Sequence, residues 1–167
     1  MTAAVVHTSL LLALFGGALG LDQVSKAVAT QLLADGRVIS LFFDCFQLQL
    51  VHNSSGFLSV FAPIPGQIRF TLLTWGVGAL LLAGGAYLVF ARTLPRPKKI
   101  CLVLILAGGA GNLVDRLINA DGGVIDFINV GIGWLRTGIF NFADMYILFG
   151  SCWLGALLAV TEEADRR

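Results

Sequence analysis

Four long apolar stretches constrain the fold of this chain more than any other feature of its sequence. They cover residues 3–21, 70–91, 100–116 and 139–160. A helix that crosses the ~30 Å hydrocarbon layer of a bilayer needs roughly 20 apolar residues. Charged residues make up only 13% of the chain, whereas about 25% is usual in soluble domains. We therefore predict an all-α membrane protein in which four transmembrane helices form a single domain, residues 1–167.

The third stretch is the shortest of the four. The part before its first charged residue, residues 100–114, gives about 22 Å of helix at 1.5 Å per residue. To span, this helix must carry Asn112, Asp115 and Arg116 to the edge of the hydrocarbon layer. Such groups are tolerated there where they face protein or water.

Basic residues between the second and third stretches set the expected orientation. Residues 92–99 hold four positive charges and no negative charge, and loops of this kind remain in the cytoplasm. The first stretch has no basic segment before it, so we expect a retained helix and not a cleaved signal peptide. Both termini are then cytoplasmic, and residues 22–69 and 117–138 form two outer loops.

This arrangement places a set of polar residues, in the outer loops and at the outer ends of the spans, on the outer side of the membrane. The set comprises Asp22, Lys26, Asn53, Asn112, Asp115, Arg116, Asp126, Asn141 and Asp144. A carboxylate close to the hydrocarbon layer is costly, and it therefore indicates a functional site. Because Asp126 and Asp144 lie on flanking segments, we predict that they form a carboxylate pair for acid–base chemistry.

Several of the other polar residues are expected to support that pair. Asp22 and Lys26 are four residues apart, so they lie on one face of a helix. Alone, they are typical of charge at a helix end, and Lys26 can extend to water by itself. Together with Asn112 and Asn141, we interpret them as groups that surround the carboxylates.

The first outer loop has the pattern of a small β-sheet. Residues 46–50 alternate between apolar and polar, as in a half-buried strand. Residues 38–43 and 57–61 are further β-prone runs, and residues 53–56 predict a turn. We predict a small antiparallel sheet in this loop, on the outer membrane surface, whose phenylalanines enter lipid, contact an apolar ligand or cover the helices. The glycine-rich second loop, residues 119–138, is either a mobile flap or a plain connection.

Other chemistries fit the sequence less well. A net charge of +1 gives no basic field for nucleic acid. The chain has no His-Glu-x-x-His pair for zinc, and residues 54–56 are more simply a turn than a serine hydrolase elbow. The outer aspartates could ligate a hard cation, but Lys26 and Arg116 neutralise two of their charges. We therefore predict no metal and no cofactor.

Four blocks of the sequence resemble a known family. The blocks are Asp22-Gln23-Val24-Ser25-Lys26, Gly108-Gly109-Ala110-Gly111-Asn112-Leu113-Val114-Asp115-Arg116, Val124-Ile125-Asp126-Phe127 and Phe140-Asn141-Phe142-Ala143-Asp144. In order and in their placement on four spans, they resemble the blocks of the bacterial lipoprotein signal peptidases, the signal peptidase II family. The resemblance covers nearly the whole chain.

The resemblance implies an intramembrane aspartyl endopeptidase that removes signal peptides from prolipoproteins and cuts before a diacylglyceryl-modified cysteine. It implies that Asp126 and Asp144 are catalytic. It assigns site-shaping or bracing roles to Asp22, Lys26, Asn53, Gly108, Asn112, Asp115, Arg116, Asn141 and Ala143. The implied partners are diacylglyceryl-prolipoprotein and membrane lipid, with no nucleic acid. The enzyme would be a monomer in the bacterial inner membrane, with its site near the outer, periplasmic face.

One block departs from the family pattern. The family usually has Asn-x-Gly-Ala-Ala-Phe in the first outer loop, and this chain has Asn53-Ser54-Ser55-Gly56-Phe57-Leu58. Ser55 stands where glycine is expected. The departure bears on how the loop holds substrate, and a divergent paralogue with altered specificity is one interpretation.

Paired aspartates suggest a mechanism in which two close carboxyls share one proton. The ionised carboxylate takes a proton from water, which attacks the peptide carbonyl, and the protonated one assists the carbonyl oxygen and the leaving amine. Two other functions remain open, a proton-coupled transporter and a non-catalytic lipoprotein-binding protein. Against the transporter, the second and fourth spans have no acidic track towards the cytoplasm.

Overall fold

The computed structural model describes residues 3–56, 61–91 and 93–165. Within these ranges the helices and strands follow in the order α1 (Ala3–Leu32), β1 (Ile39–Leu41), β2 (Phe46–Asn53), α2 (Gly66–Thr71), α3 (Val77–Phe90), α4 (Arg96–Ile118), β3 (Val124–Ile132), β4 (Leu135–Arg136) and α5 (Phe142–Asp165). A π-helical segment, Leu72–Gly76, joins α2 to α3.

Four helices of the described chain are long and apolar enough to cross a membrane. They are Thr8–Leu32, Gly66–Phe90, Arg96–Ile118 and Phe142–Glu163. Each corresponds to one of the four apolar stretches, and a small antiparallel sheet accompanies them, which confirms the predicted fold class. α4 is the most buried of the four because it packs against α1, α3 and α5.

α1 extends beyond its apolar stretch and ends at Leu32 instead of Leu21. Asp22 and Lys26 therefore lie inside the helix, not in a loop that follows it. The hydropathy pattern predicted that the helix ends at these two residues, because a hydropathy scale scores each charged residue separately and ignores ion pairing. Their ion pair, at 2.8 Å, compensates both charges and lets the helix continue.

The sheet has the strand order β1-β2-β3-β4 and draws on both outer loops. β1 and β2 come from the first loop, as predicted, and β3 and β4 from the second. The register of β2 on β3 pairs Phe46 with Val130 and Asn53 with Val124. The second loop is therefore neither a flap nor a plain connection. Of the predicted strand at residues 57–61, all but Phe61 lies outside the described residues.

The sheet packs on the C-terminal part of α1. Ala29 of α1 and Leu33, directly after it, form a buried cluster with Phe127 and Ile128 of β3. The ring of Phe127 also contacts that of Phe142 in α5, with centroids 6.2 Å apart. This packing holds β3 against α1 and α5 at the two residues that directly follow Asp126.

Candidate active site

Asp126 lies in β3 and is almost fully buried. Its partner across the ladder is Val51 of β2, and it is only 2% exposed. Asn53 Nδ2 donates a hydrogen bond to Asp126 Oδ2 at 2.9 Å, and Asn141 Nδ2 donates one to Oδ1 at 2.6 Å. Both carboxylate oxygens thus have the partner that a buried polar group requires.

Asp144 lies in the first turn of α5 and helps to cap that helix. The backbone N–H of Asp144 donates to Asn141 Oδ1 at 2.9 Å, and the N–H of Asn141 donates to Asp144 Oδ2 at 3.3 Å. This reciprocal arrangement is a capping box, which satisfies N–H groups left free at a helix start. Asn112 Nδ2 donates to Asp144 Oδ1 at 2.8 Å. Asp144 is therefore held by its own helix and by α4.

The other partners of Asn112 and Asn141 fix the orientations of their amides. Lys26 Nζ can only donate, so the Asn112 atom 3.1 Å from it is the oxygen. The nitrogen of Asn112 then faces Asp144. Likewise, the backbone N–H of Asp144 selects the oxygen of Asn141, so the nitrogen of Asn141 faces Asp126. Each carboxylate therefore receives a donor from an oriented asparagine.

Lys26 is a buried cation that holds this arrangement in place. It is 2% exposed, and its Nζ lies 2.8 Å from both Asp22 Oδ2 and Asp115 Oδ2. With Asn112 Oδ1, these acceptors match the three N–H groups of the ammonium. Removing an ion from water costs several kcal/mol unless it is paired in good geometry, and Lys26 meets that condition.

Asp115 connects the buried cation to β3. Its Oδ2 accepts a hydrogen bond from the backbone N–H of Ile125 at 3.0 Å. Ile125 directly precedes Asp126, so the position of the strand depends on Asp115. The bond supports the interpretation of Asp115 as a group near the carboxylate pair.

Gln23 belongs to the same network, although the sequence reasoning did not select it. Its Nε2 donates to Asp115 Oδ1 at 3.1 Å, to the carbonyl of Gly111 at 3.1 Å and to Asp22 Oδ2 at 3.2 Å. Gln23 carries no charge, so the argument from the cost of burying a charge did not select it as a site residue. Its position next to Asp22, three residues before Lys26, was the feature of the sequence that could have indicated its role.

Asp22 joins α1 to the start of α5. Its Oδ1 accepts a hydrogen bond from the backbone N–H of Ala143 at 2.9 Å. A Cβ at Gly111 would lie 2.5 Å from Asp22 Oδ2, and a Cβ at Gly108 would collide with the carbonyl oxygen of Ala143. Both positions therefore require glycine for α4 to approach its neighbours this closely.

Arg116 is buried beside Asn112. It is 7% exposed, and its Nη1 donates to the carbonyl of Asn112 at 3.2 Å. This bond lies within α4, because the side chain folds back along its own helix. Its Nε has no hydrogen-bond partner among the described residues.

Two cavities meet at the carboxylate pair, and Asn53, Asp126 and Asp144 line both of them. The larger, of about 710 Å³, extends along β2 and the N-terminal part of α5. Its polar wall includes His52, Ser54 and Ser55, and its apolar wall includes Met145, Leu148 and Phe149. The smaller, of about 360 Å³, lies between α3, α4 and α5. The carboxylates thus lie where an extended molecule could continue in two directions.

The environment of Asp126 favours its protonated form. Burial is the main cause that raises the pKa of Asp126 from 3.8 to about 7, and the charge of Asp144 adds to it. Hydrogen bonds from Asn53 and Asn141 and the charge of Lys26 act in the opposite direction. A carboxyl with this pKa holds a proton for a large part of the time at neutral pH. The pair can therefore carry one proton and one negative charge, the state that acid–base chemistry needs.

The turn that departs from the family pattern still orients Asn53. The backbone N–H of Ser55 donates to Asn53 Oδ1 at 3.0 Å, an Asx turn. Gly56 takes the left-handed backbone conformation, with φ +76°. Since Ser55 contributes its backbone N–H here, the serine leaves this function intact. What changes is the wall of the larger cavity, which gains a hydroxyl.

The part of the chain that the structure describes has no group of three or more His, Cys, Asp or Glu side chains placed to hold a metal ion. Asp22 and Asp115, which the sequence had offered as ligands, both face Lys26.

Comparison with known proteins decides the family. A sequence model described as signal peptidase (SPase) II matches residues 12–160, which include both carboxylates and all of the residues around them. The chain belongs to the lipoprotein signal peptidase family. Members of this family act on prolipoproteins as signal peptidases, and this chain is such a peptidase by membership.

Relatives of this signal peptidase come from several bacteria. It is 36% identical over 142 residues to the lipoprotein signal peptidase of Treponema denticola, which covers 82% of this chain and 81% of the relative. It is 34% identical over 148 residues to that of Janthinobacterium sp. (strain Marseille), covering 87% and 82%. The corresponding protein of Burkholderia mallei is 32% identical over 145 residues, covering 87% and 81%.

Two solved structures share the fold. Both are described as bacterial membrane enzymes determined by the in meso method. The first has a TM-score of 0.76 at 20% identity and covers 95% of this chain and 92% of its own. The second has a TM-score of 0.74 at 22% identity, with 90% and 92% covered. At these identities, the match shows the fold alone, four helices and a sheet.

Proposed function

We propose that this signal peptidase is an intramembrane aspartyl endopeptidase that cuts prolipoproteins directly before a cysteine carrying diacylglycerol. The observation that carries the proposal is the placement of Asp126 and Asp144. They come from two separate elements, line the same two cavities, and are each held by an asparagine whose amide can only donate towards them.

The proposed mechanism assigns the shared proton to Asp126. Its pKa of about 7 makes it the acid at neutral pH, and Asp144 is then the ionised base. Asp144 removes a proton from a water molecule, which attacks the scissile carbonyl carbon. Asp126 donates its hydrogen bond to the carbonyl oxygen, and the proton gained by Asp144 passes to the leaving amine as the C–N bond breaks. No covalent intermediate is required.

The larger cavity has the chemistry that a lipid-bearing peptide needs. Its apolar wall of Met145, Leu148 and Phe149 is suited to acyl chains, and its polar wall of His52 and Ser54 is suited to peptide groups. Phe149 and Leu148 are also exposed on the outside of α5. A diacylglyceryl chain could therefore reach this wall from the bilayer without crossing water.

The carboxylates of both proposed catalytic residues can be removed without changing side-chain shape. We expect Asp126→Asn and Asp144→Asn each to lower cleavage of a diacylglyceryl-modified prolipoprotein by at least ~10³-fold, since neither half of an acid–base pair works alone. The measurement is a gel-shift assay with purified enzyme in detergent, beside the same prolipoprotein without lipid.

Asp35→Asn is the matched control, because Asp35 is an exposed aspartate at the end of α1 and its side chain lines neither cavity. It should cleave at the wild-type rate. Substantial cleavage by both single dyad variants would refute the catalytic assignment. Equal cleavage of lipidated and unlipidated substrate by the wild type would refute the proposed substrate.

A further inference from the structure

The two hairpin turns of the sheet lie together at the end farthest from Asp126. Residues 42–45 connect β1 to β2, and residues 133–134 connect β3 to β4. The register brings the turns together, because Phe46 pairs with Val130. The backbone N–H of Gly131 also donates to the carbonyl of Cys45 at 2.9 Å. The opposite end of β2 and β3 carries Asn53 and the carboxylate site.

This far end of the sheet is strongly apolar. Phe43 is fully exposed and Trp134 is 92% exposed, and three further large apolar residues beside them are more than two-thirds exposed. The five residues, called the apolar tip below, are Phe42, Phe43, Ile132, Trp134 and Leu135. Single exposed apolar side chains are common, but a contiguous group of this size marks an interaction surface.

The backbone that presents the two phenylalanines is strained. Phe42, Phe43 and Asp44 have φ values of 52°, 55° and 68°. Three consecutive non-glycine residues in the left-handed region are rare and costly, and such strain is found where function requires it. Asp44 Oδ1 holds the turn by accepting from Ser40 Oγ at 2.6 Å and Gln47 Nε2 at 2.7 Å.

Arg136 joins the two turns into one rigid unit. Its Nη1 donates to the backbone carbonyl of Asp44 at 2.8 Å and lies 3.3 Å from Asp44 Oδ2. Its Nε donates to Asn129 Oδ1 in β3. The apolar residues of both turns therefore keep a fixed arrangement without being covered.

We propose that the apolar tip is a membrane anchor that enters the interfacial layer of the bilayer crossed by α1. The exposed apolar surface is continuous with the spanning helix: Val24, Val28 and Leu32 of α1 are about half exposed or more. Val38 and Leu41 continue this surface towards the tip. Tryptophan and other aromatic rings favour the boundary between lipid and water, so the bilayer is the occupant that suits these residues.

The anchor would set the position of the catalytic strand. Since the tip and Asp126 lie on the same β3, a tip fixed in lipid holds the other end of β3 at a constant depth beside α5. This consequence rests on the proposed function, whereas the anchoring itself does not.

Fluorescence quenching tests the anchor directly. In a variant with Trp75→Phe and Trp153→Phe, Trp134 is the one remaining tryptophan. In phosphatidylcholine liposomes, we expect Trp134 to be quenched by lipids brominated near the headgroup and shielded from aqueous iodide. A second variant that keeps only Trp153, in the fourth span, gives the reference for a lipid-facing ring. Strong iodide quenching without bromolipid quenching would overturn the proposal. Shielding from both quenchers would point to a protein partner and would overturn it as well.

A double variant, Phe42→Ser with Phe43→Ser, tests the contribution of the strained turn. We expect iodide quenching of Trp134 to rise about threefold, because the tip loses its aromatic anchor. Cleavage should fall in liposomes and stay unchanged in detergent, where no bilayer positions the sheet. Phe90→Ser, at the other end of the bundle, is the matched control and should change neither the quenching nor the cleavage.

If the wild type cleaves no prolipoprotein, the proposed function fails, but the quenching result still decides the anchor. Unchanged iodide quenching in the double variant would refute the role of the turn.

Discussion

The two carboxylates differ in how they are held, and this difference is the basis of the different roles that we propose for them. Asp126 is buried in a strand, where desolvation favours the neutral form. Asp144 lies in the first turn of α5, where Asn112 Nδ2 and the backbone N–H of Asn141 donate hydrogen bonds to its carboxylate. Asn141 contacts both of them and so couples the pair. The acid and base roles proposed for the two side chains rest on these different surroundings.

The pKa of Asp126 predicts how cleavage depends on pH. The proposed mechanism needs Asp126 protonated, and its pKa is raised by burial to about 7. Cleavage should therefore decline as pH rises above about 7, by up to about tenfold per unit, as the acid is lost. The measurement is kcat/KM for lipidated prolipoprotein between about pH 6 and about pH 9. A rate that stays level over this range would contradict the assignment, and Asp35→Asn should reproduce the wild-type profile.

The acidic residues of the site could be predicted from sequence because each is expensive near lipid. The orientation of the asparagines could not, because it depends on Lys26 and on a backbone N–H contributed by other segments. Gln23 could not be predicted for a related reason: it has no charge, and its role depends on three hydrogen-bond acceptors that only the folded structure brings together.

At the scale of elements, α4 organises the molecule through residues that lack side chains. Gly108 lets α5 approach, and Gly111 leaves space for the Asp22 carboxylate of α1. Small residues are the usual means by which membrane helices come close. Close approach is also what brings Asn112 within hydrogen-bond distance of both Lys26 and Asp144.

Gly111→Ala tests this role. The new Cβ would meet Asp22 Oδ2 at 2.5 Å and push it away from Lys26 and Ala143. We expect a loss of about 1–3 kcal/mol in the free energy of unfolding, as for other overpacked sites, together with slower cleavage. Gly85→Ala is the matched control in α3, since its Cβ would meet nothing within 4 Å. Thermal unfolding in detergent measures the stability of both variants. Equal stability of the two variants would show that the gap at Gly111 is not needed.

The membrane-spanning helices were predictable because each corresponds to one continuous apolar stretch of the sequence. The sheet was predictable only in part. β2 shows the alternation of a half-buried strand, and it was predicted. β3 is buried along most of its length, so Val124–Ile132 lacks that alternation, and its glycine-rich surroundings suggested a flexible loop. The β-branched run beside Asp126 was the signal that could have identified the strand.

At the scale of the whole molecule, the site depends on segments that are distant in the chain. α1, α4 and α5 contribute the cation and most of the amide donors, whereas the sheet contributes Asp126 and Asn53. The sheet lies at one end of the bundle, because it follows α1 and precedes α5, and the basic link before α4 lies at the other. The carboxylates are therefore on the side opposite to the four positive charges of residues 92–99.

This asymmetry predicts the orientation in the cell. Loops rich in lysine and arginine remain in the cytoplasm, so we propose that the sheet and the carboxylate pair face outwards. In a Cys45→Ser, Cys101→Ser, Cys152→Ser background, a cysteine placed by Asp35→Cys at an exposed position after α1 should react with a membrane-impermeant maleimide added to intact cells whose outer barrier has been opened. A cysteine-free variant carrying Thr93→Cys, in the basic link, should react only after the inner membrane is permeabilised. The reverse pattern would place the proteolytic site in the cytoplasm. A prolipoprotein exported before its cleavage could then not reach Asp126 and Asp144, and the substrate assignment would fail with the orientation.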